Sequence, residues 1–144
     1  MRNLLIVSDS HHDIEKMEKL FKKYQGYYII HCGDYCISRE LLDKYDVHYV
    51  DGNCDMHDDR LELFFELDNE KIYVTHGHKQ RVKMGYMNLY YKAIELGADY
   101  VFFGHTHEKT FFEDNNIKFI NPGSLRYEGS YAVIENDKVY FKEI

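Results

Sequence analysis

The order of apolar runs and turn signals predicts an α/β fold (α+β in its later part), in which a pair of mixed β-sheets carries helices on its outside. In the first half of the chain, short apolar strands alternate with amphipathic helices, which indicates parallel β-α-β units. From about residue 109 onward only strands are predicted, with hairpin turns at Asn115-Asn116 and Asn136-Asp137. This change of pattern argues against a purely parallel sheet.

The predicted elements of the first half follow from local signals. Residues 3–8 form a short apolar run bounded by polar residues, which is typical of a buried strand. Asp13 suits a helix N-cap, and apolar residues at helical spacing continue to about Lys23, before Gly26 ends the helix. A strand at residues 27–31, a short helix at 38–44 and a strand at 47–50 are predicted next.

The second half opens with a polar loop that leads into a predicted hairpin. Strands at residues 61–67 and 71–75 flank the turn Asp68-Asn69-Glu70. A helix at residues 84–96 is expected to stop at Gly97, because glycine suits the left-handed residue that follows a helix. The remaining predicted strands are residues 99–103, 109–112, 117–120, 130–135 and 139–142.

Length and charge restrict the classes of function. The chain has 144 residues, of which 44% are hydrophobic, and this is enough for one sizeable core. No internal repeat or linker divides it, so we predict a single domain, residues 1–144. With 18 basic and 25 acidic residues the net charge is −7, which disfavours an anionic membrane or long nucleic acid as a partner. Bound cations would still allow a phosphate substrate.

The cysteine content and the N-terminus indicate a cytoplasmic protein. Three cysteines cannot all pair within the chain, which favours a reducing compartment. No apolar run approaches the roughly 20 residues of a membrane helix, and the N-terminus lacks the apolar stretch of a signal peptide. Cys32, Cys36 and Cys54 could form a zinc knuckle, but Asp34 separates the first two and a better set of metal ligands is present.

Side chains with metal-binding chemistry follow five of the predicted strands. Neutral imidazole is the commonest protein metal ligand, and Gly104-His105-Thr106-His107 carries two imidazoles directly after an apolar run. Ligands gather beyond the carboxyl ends of parallel strands in open α/β sheets, so one shared site explains the repetition. The same arrangement recurs in Asp9-Ser10-His11, Gly33-Asp34, Gly52-Asn53 and His76-Gly77-His78.

These motifs supply seven candidate metal ligands: Asp9, His11, Asp34, Asn53, His76, His105 and His107. Mixed carboxylate, imidazole and amide ligands suit Mn, Fe, Co, Ni or Zn better than Mg or Ca, and we favour Mn. Seven ligands exceed the needs of one tetrahedral ion, so we predict two ions, roughly 3.5–4 Å apart and bridged by a carboxylate. A water shared by two cations becomes a hydroxide nucleophile near neutral pH, which suits hydrolysis of a phosphate ester.

The five motifs, in this order, resemble those of the calcineurin-like metallophosphoesterases. Gly52-Asn53-Cys54-Asp55 and Asn121-Pro122-Gly123-Ser124 are similar to motifs of the small prokaryotic single-domain phosphodiesterases in that superfamily. The resemblance extends from Asn3 to about Glu135 and implies a four-layer α-β-β-α sandwich. It also implies a first ion held by Asp9, His11, Asp34 and His107, and a second held by Asp34, Asn53, His76 and His105, with Asp34 as the bridge.

Three positions depart from the family pattern. Phosphoprotein phosphatases of the superfamily have a histidine after the ligand asparagine that assists the leaving group, whereas this chain has Cys54. We therefore place Cys54 and His78 with Asp34 at candidate catalytic positions, with His78 or a metal-bound water as the substitute acid. His12 replaces a common glycine, and it either contacts phosphate or adds bulk. The segment 125–129 is short, which would leave one wall of the pocket open.

The leading hypothesis is a metal-dependent phosphodiesterase that acts on a small or nucleotide-like phosphodiester. One alternative is a non-catalytic scaffold of the same fold, as in the related retromer subunit, although every ligand position here is competent. Another is a nuclease, which the net charge and the lack of a basic stripe disfavour. The sequence does not decide whether the protein forms an oligomer. It also leaves open whether His78 lines the pocket or supports a metal ligand, and whether Lys79, Arg81 and Lys83 contact phosphate. It favours ordinary surface or core roles for His12, His31, His48 and His57.

Overall fold

Two five-stranded β-sheets dominate the computed structural model, which describes residues 2–144 and so leaves residue 1 of the predicted domain outside. The strands are β1 (Leu4–Val7), β2 (Tyr28–His31), β3 (His48–Tyr49), β4 (Glu62–Leu67), β5 (Glu70–Thr75), β6 (Tyr100–Phe102), β7 (Thr110–Asp114), β8 (Ile117–Asn121), β9 (Ser130–Glu135) and β10 (Lys138–Glu143). The first sheet has the order β10-β9-β1-β2-β3 and the second β4-β5-β6-β8-β7.

Both sheets are mixed, as predicted. Strands β1, β2 and β3 run parallel, whereas β9 pairs antiparallel with β1 and β10. In the second sheet β5, β6 and β8 run parallel, and the edge strands β4 and β7 are antiparallel to their neighbours. Within each sheet, the parallel strands therefore end at the same edge, and the predicted ligands follow these ends.

The helices flank the sheets and have recognisable caps. They are α1 (Ile14–Lys23), α2 (Arg39–Lys44), α3 (Met87–Leu96) and α4 (Leu125–Glu128), with a 3-10 turn at Val82–Met84. The Asp13 carboxylate accepts from the backbone N–H of Lys16 at 3.2 Å, which confirms the predicted N-cap of α1. Gly97 ends α3 in the left-handed conformation (φ 68°), also as predicted.

The helices depart from the prediction in two places, the start of α3 and the presence of α4. The helix predicted at residues 84–96 begins only at Met87, because Gly85 (φ 134°) separates it from the preceding 3-10 turn. Helix α4 falls where only strands were predicted. Four residues are too few to show helical periodicity, and the short helix depends on the Ser124 side chain, which caps it, and on Gly129, which ends it (φ 64°).

The cores show the four-layer arrangement directly, because side chains alternate between the two faces of each strand. Leu4 and Ile6 of β1 lie in the core between the sheets, with Ile72 of β5 and Phe102 of β6. Leu5 and Val7 lie in the core beneath α1 and α2, and a third core joins the second sheet to α3. The predicted pair of sheets between helical layers is confirmed.

Two further observations concern the chain as a whole. Cys32, Cys36 and Cys54 all carry free thiols. Among residues 2–144, no helix has the length and apolar character needed to cross a bilayer.

Candidate metal centre

The carboxylate of Asp9, directly after β1, faces three of the predicted histidine ligands. Its Oδ1 atom lies 3.2 Å from His107 Nε2, 3.7 Å from His11 Nε2 and 3.8 Å from His76 Nε2. Asp9 comes from the first sheet, whereas His76 and His107 follow strands of the second sheet. The ends of strands in two different sheets therefore meet at one point.

Asp34 occupies the position between the histidines of the two proposed ion sites. Its Oδ2 atom lies 3.2 Å from His76 Nε2 and 3.7 Å from His11 Nε2. The possible ligand atoms of Asp9, His11 and His107 all lie within 4.8 Å of one another, and the same is true of Asp9, Asp34 and His76. Both groups are compact enough to hold a metal ion.

Unpartnered polar atoms provide the test of whether these residues fit a metal. Asp9 Oδ1, His11 Nε2 and His76 Nε2 are buried and have no hydrogen-bond partner. Leaving a buried polar atom unpaired costs about 1–3 kcal/mol, so three such atoms pointing at one another would be an expensive arrangement. A shared cation would satisfy all three. The residues therefore fit a metal centre.

The opposite sides of the same groups are held by hydrogen bonds. Asp9 Oδ2 accepts from Ser8 Oγ at 2.6 Å and from the backbone N–H of His105 at 3.1 Å. The backbone N–H of Cys54 donates to Asp34 Oδ1 at 2.9 Å. His76 Nδ1 lies 2.8 Å from the carbonyl oxygen of Cys32, and donation to that oxygen leaves Nε2 free to bind a cation.

The electrostatics of the cluster also suit a cation. Burial acts to raise the pKa of Asp9, but the imidazoles of His107 and His11 outweigh it and hold that pKa well below its usual range. Asp9 in turn raises the pKa of His11. Burial lowers the pKa of His105 to about 4, so its ring is neutral and available as a ligand. For His76 burial acts to lower the pKa, yet the two carboxylates raise it overall.

The loops that present the ligands have unusual backbone conformations. Five of the seven predicted ligands have positive φ angles although none is glycine: Asp9 (53°), His11 (39°), Asp34 (60°), His105 (73°) and His107 (65°). Such conformations cost of order 1–3 kcal/mol each and persist where the surrounding structure enforces them, which is common at functional sites. The strain therefore supports a functional role for this cluster.

Glycines permit the close approach of these loops. A Cβ atom on Gly52 would collide with the Asp34 carboxylate, and one on Gly33 would lie 2.8 Å from His76 Nδ1. A Cβ atom on Gly104 would collide with Ser8 Oγ and lie 2.6 Å from Asp9 Oδ2. These glycines precede or adjoin the ligands in the sequence motifs, and the structure gives the steric reason for them.

Asp55 is a supporting residue whose role the sequence analysis missed. Its carboxylate accepts from the backbone N–H groups of Asp34 (2.8 Å), Cys36 (2.8 Å) and Gly52 (2.7 Å). These bonds tie the loop after β2 to the loop after β3. The signal was present, because Asp55 belongs to the Gly-Asn-Cys-Asp motif, but spacing alone does not show which backbone groups a carboxylate will contact.

The Asn-Pro-Gly-Ser motif after β8 supports two ligand loops from behind. The Asn121 amide donates to the carbonyl oxygen of Gly104 at 3.1 Å and to Thr106 Oγ1 at 2.9 Å. Ser124 Oγ donates to the carbonyl oxygen of Asp9 at 2.9 Å.

His31, for which an ordinary surface or core role was expected, is fully buried. Its ring contacts Ser10 Oγ at 2.8 Å.

The three remaining predicted site residues are Asn53, Cys54 and His78, and they differ in exposure and in their neighbours. The Asn53 side chain is exposed, and its amide nitrogen lies 3.5 Å from Cys54 Sγ, so its role as a ligand stays a prediction. The Cys54 thiol groups with His11 and Asp34, with ligand atoms within 4.8 Å of one another. His78 is half-buried, 5.4 Å from the His76 ring between centroids, and burial lowers its pKa.

The other basic residues and histidines considered in the sequence analysis lie outside the seven predicted ligands. Lys79, Arg81 and Lys83 are exposed, as a solvated loop would be. His12 and His57 are also exposed, and His48 stacks on Tyr28 with 4.2 Å between ring centroids.

Comparison with known proteins identifies the family of the chain. A family model for the calcineurin-like phosphoesterase superfamily domain matches residues 1–138. The chain belongs to this superfamily. The family resemblance inferred from the five motifs is therefore confirmed.

Members of the superfamily resemble the chain over most of its length. A Bacillus subtilis protein named "Probable metallophosphoesterase YsnB" is 40% identical over 147 residues, covering 94% of this chain and 86% of its own. A phosphodiesterase of Methanocaldococcus jannaschii is 28% identical over 167 residues, covering 96% of each chain. A solved structure from Streptococcus pneumoniae, of an uncharacterised protein predicted to be a phosphoesterase, has a TM-score of 0.91 at 30% identity and covers 99% of this chain and 89% of its own.

Proposed function

We propose that the chain is a phosphodiesterase that hydrolyses a small or nucleotide-like phosphodiester at a centre of two divalent transition-metal ions, Mn being favoured. The observation that carries the proposal is the set of three buried, unpartnered atoms, in which Asp9 Oδ1 lies 3.7 Å from His11 Nε2 and 3.8 Å from His76 Nε2. Asp34 Oδ2 and His107 Nε2 complete the cluster, each 3.2 Å from one of these atoms. When bound, the ions would supply Lewis acidity toward the phosphoryl oxygens and lower the pKa of an attacking water.

The residues divide into two ligand sets under this proposal. Asp9, His11 and His107 would hold the first ion, and His76, His105 and Asn53 the second. Asp34 Oδ2 lies near both His11 and His76, which supports Asp34 as the shared ligand. The chain's own part in the reaction is to fix these groups before substrate arrives, through the hydrogen bonds of Ser8, Cys54 and Asp55.

The alternatives are less well supported by the same observations. A scaffold without catalysis would gain nothing from unpaired buried polar atoms or from strained ligand loops. A nuclease for long nucleic acid would need a positive surface, whereas the net charge is −7. Hydrolysis of a small diester makes use of the unpaired ligand atoms and does not need a positively charged surface.

The proposal is tested by an activity panel on metal-stripped protein. Mn, Ni, Co, Zn and Mg would each be added back against bis(p-nitrophenyl) phosphate and p-nitrophenyl phosphate. We expect activity only with added metal, transition metals to exceed Mg, and the diester to be the better substrate. A protein that takes up metal but hydrolyses neither ester would favour the scaffold.

Metal is expected to raise the melting temperature, because cations bind only the folded arrangement of ligands. At about 100 times the dissociation constant, linkage gives about 2.7 kcal/mol and a shift of about 5–10 °C for a chain of this size. His76→Ala should abolish most of the shift, whereas His57→Ala, an exposed histidine outside the cluster, should keep it. An identical melting curve with saturating Mn and with chelator would count against any metal site.

Hydrolysis is expected to depend steeply on the leaving group, because Cys54 stands where related phosphatases have a histidine. Burial raises the pKa of the Cys54 thiol, and Asp34 adds to the increase, which makes the thiol a poorer acid still. A positioned general acid is typically worth about 10²–10⁴-fold, so alkyl esters should react far more slowly than nitrophenyl esters.

The measurement is a series of aryl and alkyl phosphodiesters on wild type, Cys54→His and Cys54→Ala. Cys54→His should flatten the dependence on leaving-group pKa, provided the imidazole reaches the leaving oxygen. Cys54→Ala should change nitrophenyl-ester turnover little. A flat dependence in the wild type, with chemistry rate-limiting, would show that another residue supplies the proton. His78→Ala would then be the variant expected to restore the steep slope.

A further inference from the structure

Helix α4 brings an aromatic ring to the edge of the metal centre. The Tyr127 ring stacks on that of His107, with 5.3 Å between centroids and 27° between planes, and its centroid lies 5.5 Å from that of His11. Tyr127 is nevertheless 65% exposed. The ring therefore contacts two proposed ligands while most of its surface is open to solvent. Tyr127 belongs to the short segment 125–129, for which the sequence predicted an open wall of the pocket.

The position of the ring is fixed by the backbone around it. Ser124 Oγ accepts from the backbone N–H of Tyr127 at 3.1 Å and itself donates to the carbonyl oxygen of Asp9 at 2.9 Å. Leu125 is fully buried, and Lys16 Nζ donates to the carbonyl oxygen of Arg126 at 2.8 Å. The backbone of Tyr127 is thus anchored to the loop that carries Asp9, which lowers the entropy cost of using this residue in binding.

The ring of Tyr127 is the part of the residue that contacts the two proposed ligands. The Arg126 guanidinium carbon lies 6.0 Å from the ring centroid, at the outer limit of a cation–π contact, and its Nη1 atom lies 3.3 Å from the carbonyl oxygen of His11. Arg126 therefore lies over the ring only at this outer distance, and Tyr127 remains 65% exposed.

We propose that Tyr127 is a substrate-binding residue whose open face stacks on a planar ring carried by the phosphodiester. A phosphoryl group bound beside His11 and His107 lies next to this ring, so diesters with an aryl or nucleobase substituent are favoured over alkyl diesters. Every base and aryl group has a π-face, so such stacking selects for a ring without reading its identity. The inference rests on the proposed function, because it needs the phosphoryl group at that centre.

The test compares the binding of phenylphosphonate and methylphosphonate to the Mn-loaded protein by calorimetry. These ligands carry the same charged group, cannot be hydrolysed and differ by the ring. Wild type should bind phenylphosphonate about three- to tenfold more tightly. Tyr127→Phe should keep this ratio, and Tyr127→Leu should reduce it at least about threefold. Tyr91→Leu removes a similarly exposed tyrosine from α3 (60% exposed) and should leave the ratio unchanged.

The outcomes separate this inference from the proposed function. If neither phosphonate binds the Mn-loaded protein, the phosphoryl site itself is wrong and the inference falls with it. If both bind with equal affinity, or if Tyr127→Leu keeps the wild-type ratio, only the stacking role is overturned. A ratio that falls in Tyr127→Phe as far as in Tyr127→Leu would assign the effect to the hydroxyl and also overturn it.

Discussion

Asp34→Asn is expected to lower kcat by about 10³-fold and to remove much of the bound metal. The Asp34 Oδ2 atom lies 3.2 Å from His76 Nε2 and 3.7 Å from His11 Nε2, between the two proposed ion sites. A neutral amide cannot balance the charge of two dications, although it can still accept the hydrogen bond from the Cys54 backbone. The fold should therefore survive while the metal centre fails.

The measurement combines metal content by elemental analysis with turnover of a nitrophenyl diester. Asp58→Asn is the matched control, because it makes the same chemical change at an exposed aspartate in the loop between β3 and β4. That variant should retain wild-type metal content and turnover. Near-wild-type turnover of Asp34→Asn with two metals bound would remove Asp34 from the bridging role.

Gly104→Ala is expected to weaken metal affinity about 10- to 100-fold through a purely steric change. The new Cβ atom would collide with Ser8 Oγ and lie 2.6 Å from Asp9 Oδ2, closer than real Cβ contacts. Ser8 and Asp9 would have to move, and their own hydrogen bond of 2.6 Å positions the carboxylate. Overpacking of this kind typically costs about 1–3 kcal/mol of stability as well.

Gly97→Ala separates the two effects of that substitution. Gly97 has a positive φ of 68° and no atom within 4 Å of an added Cβ, so alanine there brings backbone strain at a helix end without a collision. It should lower the stability of metal-free protein by about 1 kcal/mol and leave metal affinity intact. Titration with a metal-competing dye measures affinity, and urea unfolding measures stability. Equal affinity in both variants would contradict the steric account.

The sequence was sufficient to predict the mixed sheets and most of the cluster, because both rest on local signals. Apolar runs locate the parallel strands, and polar residues just beyond their ends must meet at the sheet edges. Asp9, His11, Asp34, His76 and His107 were brought together as this reasoning requires. The ring of His105 also lies near, 5.1 Å from that of His76 between centroids.

The parts that could not be predicted depend on three-dimensional geometry. The periodicity of residues 125–128 does not predict a helix. The position of helix α4 nevertheless determines where Tyr127 lies. Similarly, the three backbone bonds accepted by Asp55 depend on how two loops approach each other. The Asn53 side chain is exposed, and its assignment as a ligand stays a prediction.

The meeting of two sheets at one cluster has a consequence for the rate of unfolding. Asp9 and Asp34 follow strands of the first sheet, whereas His76 and His107 follow strands of the second. A cation held by both pairs would act as a clasp across the sandwich, and the sheets could not separate until it was released. Metal would then slow unfolding itself, so that loaded protein resists proteolysis for a time set by cation release.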